Sequence, residues 1–182
     1  MKEYKTEQLR NLGVVAHGGA GKTSLVEGIL FSAGVTSRLG KVDDGNTVSD
    51  YNEDEISRKI SISASLAHVE WKDFKINIVD MPGYADFLGE VVGGLRVTET
   101  ALILLSALSG VEVGTEQVWS IAERYGLSRV FFINKLDKEH AEFDKILKEL
   151  QKRFGHQAIL LQIPIGDGLN FKGLVDLVKM KA

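Results

Sequence analysis

The chain has 182 residues, 44% of them apolar and 26% charged, with a formal net charge of −3 and no cysteine. That length supports one α/β domain with a hydrophobic core; the charge excludes a global positive field for coating nucleic acid, and the missing thiols exclude disulfides and cysteine metal sites. Residues 1–10 are polar, and the longest apolar run, 101–105, is far too short to span a bilayer, so a cytoplasmic chain without membrane contact is expected.

In chain order, residues 12–16 form a short apolar run that ends in a Gly-rich loop. Residues 24–33 read as a helix with Leu25, Ile29 and Leu30 on one side. Residues 35–59 are polar, acidic and weakly periodic, a long loop with little rigidity of its own, and the acidic run 53–55 reads as solvated. Ile60, Ile62, Ala64 and Leu66 alternate with serines as in a half-buried strand. Phe74, Ile76 and Ile78 alternate likewise after a tight break at Lys72-Asp73, which predicts an antiparallel pair. Residues 86–98 are helical in pattern, and Gly89, Gly93 and Gly94 weaken that helix into an element able to shift. A buried strand at 101–105, a helix stripe of Val118, Ile121, Ala122 and Tyr125, and a buried strand at 130–133 follow. Phe143, Ile146, Leu147, Leu150 and Phe154 form the cleanest amphipathic helix, stopped by Gly155. Beyond it lie a short apolar run, a Gly-rich turn at 166–168 and an apolar stretch around 174–178. The alternation predicts the α/β class: a mostly parallel central sheet with one antiparallel strand and helices on both faces.

Three polar motifs fall directly after three predicted strands, at the carboxyl ends where open α/β sheets bind ligands. Ala16-His17-Gly18-Gly19-Ala20-Gly21-Lys22-Thr23 has the GxxxxGK[ST] spacing with Ala first, between a strand and a helix. Its glycines let backbone N–H groups converge on phosphate oxygens, Lys22 reaches the β- and γ-phosphates, and the Thr23 hydroxyl ligates Mg²⁺. His17, Gly18, Gly19, Ala20, Gly21, Lys22, Thr23 and Ser24 are therefore candidate nucleotide-binding residues. In Asp80-Met81-Pro82-Gly83, Asp80 can hold Mg²⁺ and the Gly83 N–H can meet the γ-phosphate. Such a stretch is also a common turn, and its place behind the first motif gives it weight. In Asn134-Lys135-Leu136-Asp137, the Asp137 carboxylate can accept hydrogen bonds from guanine N1–H and the exocyclic amine, a donor pair adenine lacks, while the Lys135 stem stacks on the base. Alone, this motif is a charged turn with Asp137 as a helix cap. Jointly the three motifs predict GTP/GDP and Mg²⁺, and they argue against an ATPase or small kinase. His17, His68, His140 and His156 are scattered and suggest no zinc site, and Trp71 and Trp119 read as packing.

In NLGVVAHGGAGKTSLVEGIL, DMPGYADFLGEV, GVEVGTEQVW, FFINKLD and LQIPIGDGLNFKGLVDLVKMKA, in order and spacing, the chain resembles the N-terminal G domain of translation elongation factor G and its close relatives. The resemblance runs over essentially the whole chain. It implies a ribosome-stimulated GTPase whose switch loops order around the γ-phosphate. The partner is then the ribosome, through large-subunit RNA met by the full-length protein, with no DNA or membrane partner and a monomeric fragment. It also implies a G domain over residues 1–157 and, over 158–182, the opening of an inserted subdomain. A sixth strand and a Ser-Ala loop are expected beyond Lys181-Ala182; without them nucleotide binding weakens and the 130–133 strand has an unpaired edge.

Against the family pattern, His17-Gly18-Gly19 stands where His-Ile-Asp is usual, which removes a carboxylate and the basis for a monovalent-cation role. In 55–63 Lys59 replaces a glycine, and Ser61 falls at the place of the Mg²⁺-binding threonine and keeps its hydroxyl. Tyr84 stands where the family has the histidine that positions the attacking water. A phenol, with an ordinary pKa near 10, orients water but does not switch protonation near neutrality. Tyr84, Lys22 and Gly83 are thus the candidate catalytic residues and Thr23, Ser61 and Asp80 the candidate metal ligands; Tyr84 packed on the following helix is the plainer alternative. Two competing readings are a guanine-nucleotide switch with little turnover and a tetracycline-type ribosomal protection factor, which fits the terminal stretch less well.

Overall fold

The computed structural model describes residues 2–155 and 158–182. Strand β1 (Leu9–Ala16) is followed by β2 (Ser65–Trp71), β3 (Phe74–Asp80), β4 (Thr100–Ser106) and β5 (Ser128–Asn134), which form one sheet in the order β2-β3-β1-β4-β5. β1 runs parallel to β3 and β4, and β2 pairs antiparallel with β3 across the Lys72-Asp73 turn. The helices are α1 (Lys22–Ser32), α2 (Glu53–Arg58), α3 (Leu88–Leu95), α4 (Val113–Arg124) and α5 (Phe143–Phe154). The expected α/β class, mostly parallel with one antiparallel strand, is the observed one.

The described residues fall into two compact units, one of 1–104 with 113–132 and one of 105–112 with 133–182. In the first, successive residues of β1 point to opposite faces and both faces are covered. Val14 is buried with Val26 and Leu30 of α1, whereas Val15 is buried with Val91 and Leu95 of α3 and Val118 and Ile121 of α4. These two apolar clusters hold β1 from either side and so fix where its carboxyl end, the start of the Gly-rich turn, emerges.

Met81, fully buried, explains one of the helix glycines. A Cβ on Gly94 would fall 2.5 Å from Met81 Sδ, and one on Gly13 2.8 Å from Met81 Cε, whereas Gly89 and Gly93 face open space. Gly94→Ala is therefore expected to lower unfolding free energy by about 1–3 kcal/mol through overpacking. Gly89→Ala or Gly93→Ala should instead stabilise by up to about 1 kcal/mol. Urea denaturation monitored by circular dichroism checks the pair of signs.

Three expectations need correction. Residues 60–64 are not strand: β2 begins at Ser65, because the N–H groups of Ile62 and Ser63 donate to Glu55 Oε1 at 2.9 and 3.0 Å, and that of Ala64 donates to Glu90 Oε2 at 2.9 Å. Carboxylates take the donors that a neighbouring strand would use. The acidic run is not a solvated loop either. It forms α2, entered through a capping box between Asn52 and Glu55, with Glu55 1% exposed and Lys59 closing the helix in the left-handed region (φ 57°) that favours glycine. Finally, β5 is half-buried: it ends the sheet order, and Val130 and Phe132 are more than a third exposed. Its Phe131 stacks on Trp119 at 5.3 Å, with Arg129 over the indole, whereas Trp71 is mostly exposed.

In the second unit, α5 buries Phe143, Ile146 and Leu150 and ends at Gly155 (φ 86°). After it, β6 (Gln162–Ile165) and β7 (Gly173–Asp176) make a separate two-stranded antiparallel sheet that periodicity had not revealed, since each strand is only four residues long. His156 and the 157/158 boundary lie outside the described residues. Among the described residues, no helix is long and apolar enough to cross a membrane.

Candidate functional site

The Gly-rich turn of the first unit is built by two backbone requirements. Gly19 (φ 76°) and Gly21 (φ 98°) occupy the left-handed region, which glycine enters without steric cost. Between them Ala20 is buried and donates its N–H to His17 O at 3.4 Å. Lys22 and Thr23 then open α1, where free N–H groups and the helix dipole favour an anion. Ser24, in the same first turn, is exposed. Lys22 is almost wholly buried; burial pushes its ammonium pKa down, opposed by the carboxylates of Asp80 and Asp50. The loop after β3 closes directly on this turn. A Cβ on Gly83 would run into Lys22 Nζ and lie 3.1 Å from Gly18 N and Cα.

Beside Lys22 sits a cluster of oxygens. Thr23 Oγ1 donates to Asp80 Oδ2 at 3.1 Å and lies 3.1 Å from Ser61 Oγ. Asp80 is 2% exposed, its Oδ1 has no hydrogen-bond partner, and burial lifts its pKa to about 6 against the pull of Ser49, Lys22 and Thr23. Two further residues that the sequence reading missed belong here. Asp50 is buried with Oδ2 unpartnered and its pKa raised by burial, and Ser49 is buried beside Asp80, whose ionised form it favours. Hydroxyl and carboxylate oxygens with unused lone pairs suit a hard divalent cation. Among the described residues no group of three His, Cys, Asp or Glu could hold one alone. An ion such as Mg²⁺ takes one or two carboxylates plus substrate phosphates.

The polar stretch 35–64 reaches this cluster because two buried carboxylates hold it. Glu27 of α1, 1% exposed, accepts the N–H of Gly40 at 3.1 Å and of Val48 at 2.6 Å, and Glu55 accepts those of Ile62 and Ser63. No local sequence signal marks Glu27, because it lies off the stripe of Leu25, Ile29 and Leu30 and is buried beside Val26. Tyr84 does not pack simply on the helix that follows it. Its ring stands over the Gly-rich turn, where a Cβ on Gly18 would fall 3.1 Å from Cε1 and Cζ. The first unit thus brings together Gly18, Lys22, Thr23, Ser61, Asp80, Gly83 and Tyr84.

In the second unit, Asn134 ends β5 and accepts the Ala107 N–H on its carbonyl at 2.8 Å, and its Oδ1 accepts the Lys135 N–H at 2.9 Å. Lys135 takes a left-handed conformation (φ 63°), and the turn closes with Lys138 N–H donating to Lys135 O at 3.2 Å. Asp137 is exposed, its Oδ2 3.3 Å from Lys138 Nζ. A solvent-facing carboxylate is accessible to hydrogen-bond donors of a ligand.

The profile of the elongation factor Tu GTP-binding domain matches residues 7–180. The chain belongs to this GTP-binding domain family. It is 45% identical over its whole length to elongation factor G of Granulibacter bethesdensis and 44% identical to that of Petrotoga mobilis. Over 97% of its length it is 42% identical to elongation factor G 2 of Treponema pallidum. It spans 26% of each of these relatives, about a quarter of their length. A crystal structure from Thermus thermophilus superposes on 93% of the chain and 25% of its own, with TM-score 0.88 and 34% identity. Within this GTP-binding family the five-stranded sheet and its loops have the expected architecture.

Proposed function

We propose that this G domain binds GTP and GDP with Mg²⁺ and hydrolyses GTP as part of an elongation-factor-G-like protein working on the ribosome. The observation that carries the reading is the oxygen cluster of Thr23, Ser61 and Asp80 against the buried Lys22 at the start of α1. Residues 17–24 wrap the phosphates, Lys22 stabilises charge on the terminal phosphate, and the Gly83 N–H faces it. Thr23, Ser61 and Asp80 would hold Mg²⁺, which would supply positive charge against the phosphates. Asn134 and Lys135 shape the base pocket, and Asp137 selects guanine. Tyr84 stands near the attacking water, with residues 1–157 as the G domain and 158–182, with their own small sheet, as the start of an inserted subdomain. A cytoplasmic location, with no DNA or membrane partner and a monomeric chain, accords with that role.

A second reading, a nucleotide switch with little turnover, draws on Tyr84 and Gly19, which leave no imidazole or carboxylate at those two positions. Fluorescent GDP titrated in the presence of Mg²⁺ and competed with GDP, GTP and ATP tests the binding. Both guanine nucleotides should compete and ATP should not; equal competition by ATP would break the assignment of Asp137. Phosphate release measured with and without ribosomes then separates enzyme from switch.

A further inference from the structure

We infer that Gly18 is the positioning residue for Tyr84: the missing side chain at 18 is the seat of the tyrosine ring over the phosphate turn. The inference rests on the reading of that turn as the GTP site and deepens it. The glycines in or against this turn are there for different reasons. Gly19 has φ 76° and open space around its absent Cβ, so backbone conformation accounts for it. Gly83 is needed because its backbone abuts Lys22 Nζ and Gly18. Gly18 is not in the left-handed region, so any L-residue could adopt its backbone. What a side chain there would press on is Tyr84: an added Cβ would sit 3.1 Å from Cε1 and from Cζ and 3.4 Å from Cδ1, close enough that the ring must shift by a few tenths of an ångström. One edge of the ring, with the carbon that bears the hydroxyl, therefore lies on the Gly18 backbone.

The ring is half exposed. Tyr84 is 46% exposed and belongs to neither apolar cluster, while its carbonyl is tied down by the Phe87 N–H at 3.1 Å. The main chain is thus fixed on one side by Gly83 against Gly18 and on the other by the short turn at 85–87. The side chain is then directed by contact with the turn. Its hydroxyl, one bond beyond Cζ, is held at the mouth of the phosphate turn. There a phenol can donate to a terminal phosphate oxygen or accept from a water beside it. GDP lacks that phosphate, so the pair favours the triphosphate, and a side chain at 18 would act on nucleotide choice by displacing Tyr84.

A double-mutant cycle tests this in the chain itself. Affinities for fluorescent GDP and for a fluorescent non-hydrolysable GTP analogue are measured for the parent, Gly18→Ala, Tyr84→Ala and the double variant. Gly18→Ala should shift the triphosphate-to-diphosphate affinity ratio towards GDP by about tenfold, and should shift it less than about twofold once Tyr84 is Ala. An equal shift in both backgrounds means that Gly18 acts through its own contact with phosphate and overturns the inference while leaving the GTP site intact. A parent chain that binds neither nucleotide overturns the GTP-site reading, and the inference with it. Tyr84→Phe adds a readout that packing alone would not move: it keeps the ring seated yet should lose most of the triphosphate preference if the hydroxyl makes the contact.

Discussion

Asp137→Asn is expected to lower GDP and GTP affinity by about a hundredfold or more and to bring xanthosine nucleotides into competition. An Asp side chain presents two acceptors to the two adjacent donors of guanine, and Asn presents one acceptor and one donor. The donor then faces the exocyclic amine of guanine without a partner, a mismatch that costs a few kcal/mol in a polar pocket. Xanthine carries an oxygen at that place and accepts the new donor. The fold should tolerate the change, since Asp137 is exposed and its ion pair with Lys138 is of the solvent-facing kind that contributes little. Competition against fluorescent GDP with xanthosine diphosphate reads the effect. Unchanged GDP affinity with no response to the xanthine compound would remove Asp137 from the base pocket.

The second large effect concerns Asp80. Its carboxyl is pushed from 3.8 to about 6 by burial, so between these pH values the folded chain keeps a proton that the unfolded chain has released. Without metal or nucleotide, stability therefore falls as pH rises from about 4 to 6, and the full cost of the buried charge is present above that. At roughly 1.4 kcal/mol per pKa unit the cost is about 3 kcal/mol. Asp80→Asn should accordingly raise the melting temperature of the nucleotide-free chain at pH 7.5 by about 5–10 °C. The same variant should lose most of the stabilisation that Mg²⁺ with GDP confers on the parent. Melting curves from pH 4.5 to 8, with and without the ligand pair, give both signs. A variant that melts below the parent at pH 7.5 would show that the carboxylate is already compensated in the free protein.

Much of this was legible in the sequence because it depends on local spacing. The Gly-rich turn, Asp80 to Gly83 and Asn134 to Asp137 each follow an apolar run by fixed steps, and strands and helices alternate cleanly around them. What stayed hidden depends on contacts between distant residues. Glu27 looks like a helix residue and Glu55 like part of a solvated acidic run, until Gly40, Val48, Ile62 and Ser63 bring their N–H groups to them. Asp50 and Ser49 carry no motif; only the course of the loop between α1 and α2 delivers them to Asp80. Alternation at 60–64 mimicked a strand because the period-two pattern records side-chain direction and is silent about which groups take the backbone hydrogen bonds. Gly18 could be recognised as unusual, but its reason lay far along the chain in Tyr84.

The two buried glutamates also change how the segment between α1 and β2 can move. Tied at Gly40, Val48, Ile62 and Ser63 and stiffened at 53–58, it is a string of arcs of about eight residues or fewer. Because closure cost rises only with the logarithm of length, each short closure costs only about 1 kcal/mol less than closing the whole span. The ties fall on two different carboxylates, Glu27 and Glu55, so losing the hydrogen bonds to one leaves those to the other in place. The arc between α2 and Ser61 can swing away from Thr23 while the one at Glu27 stays shut.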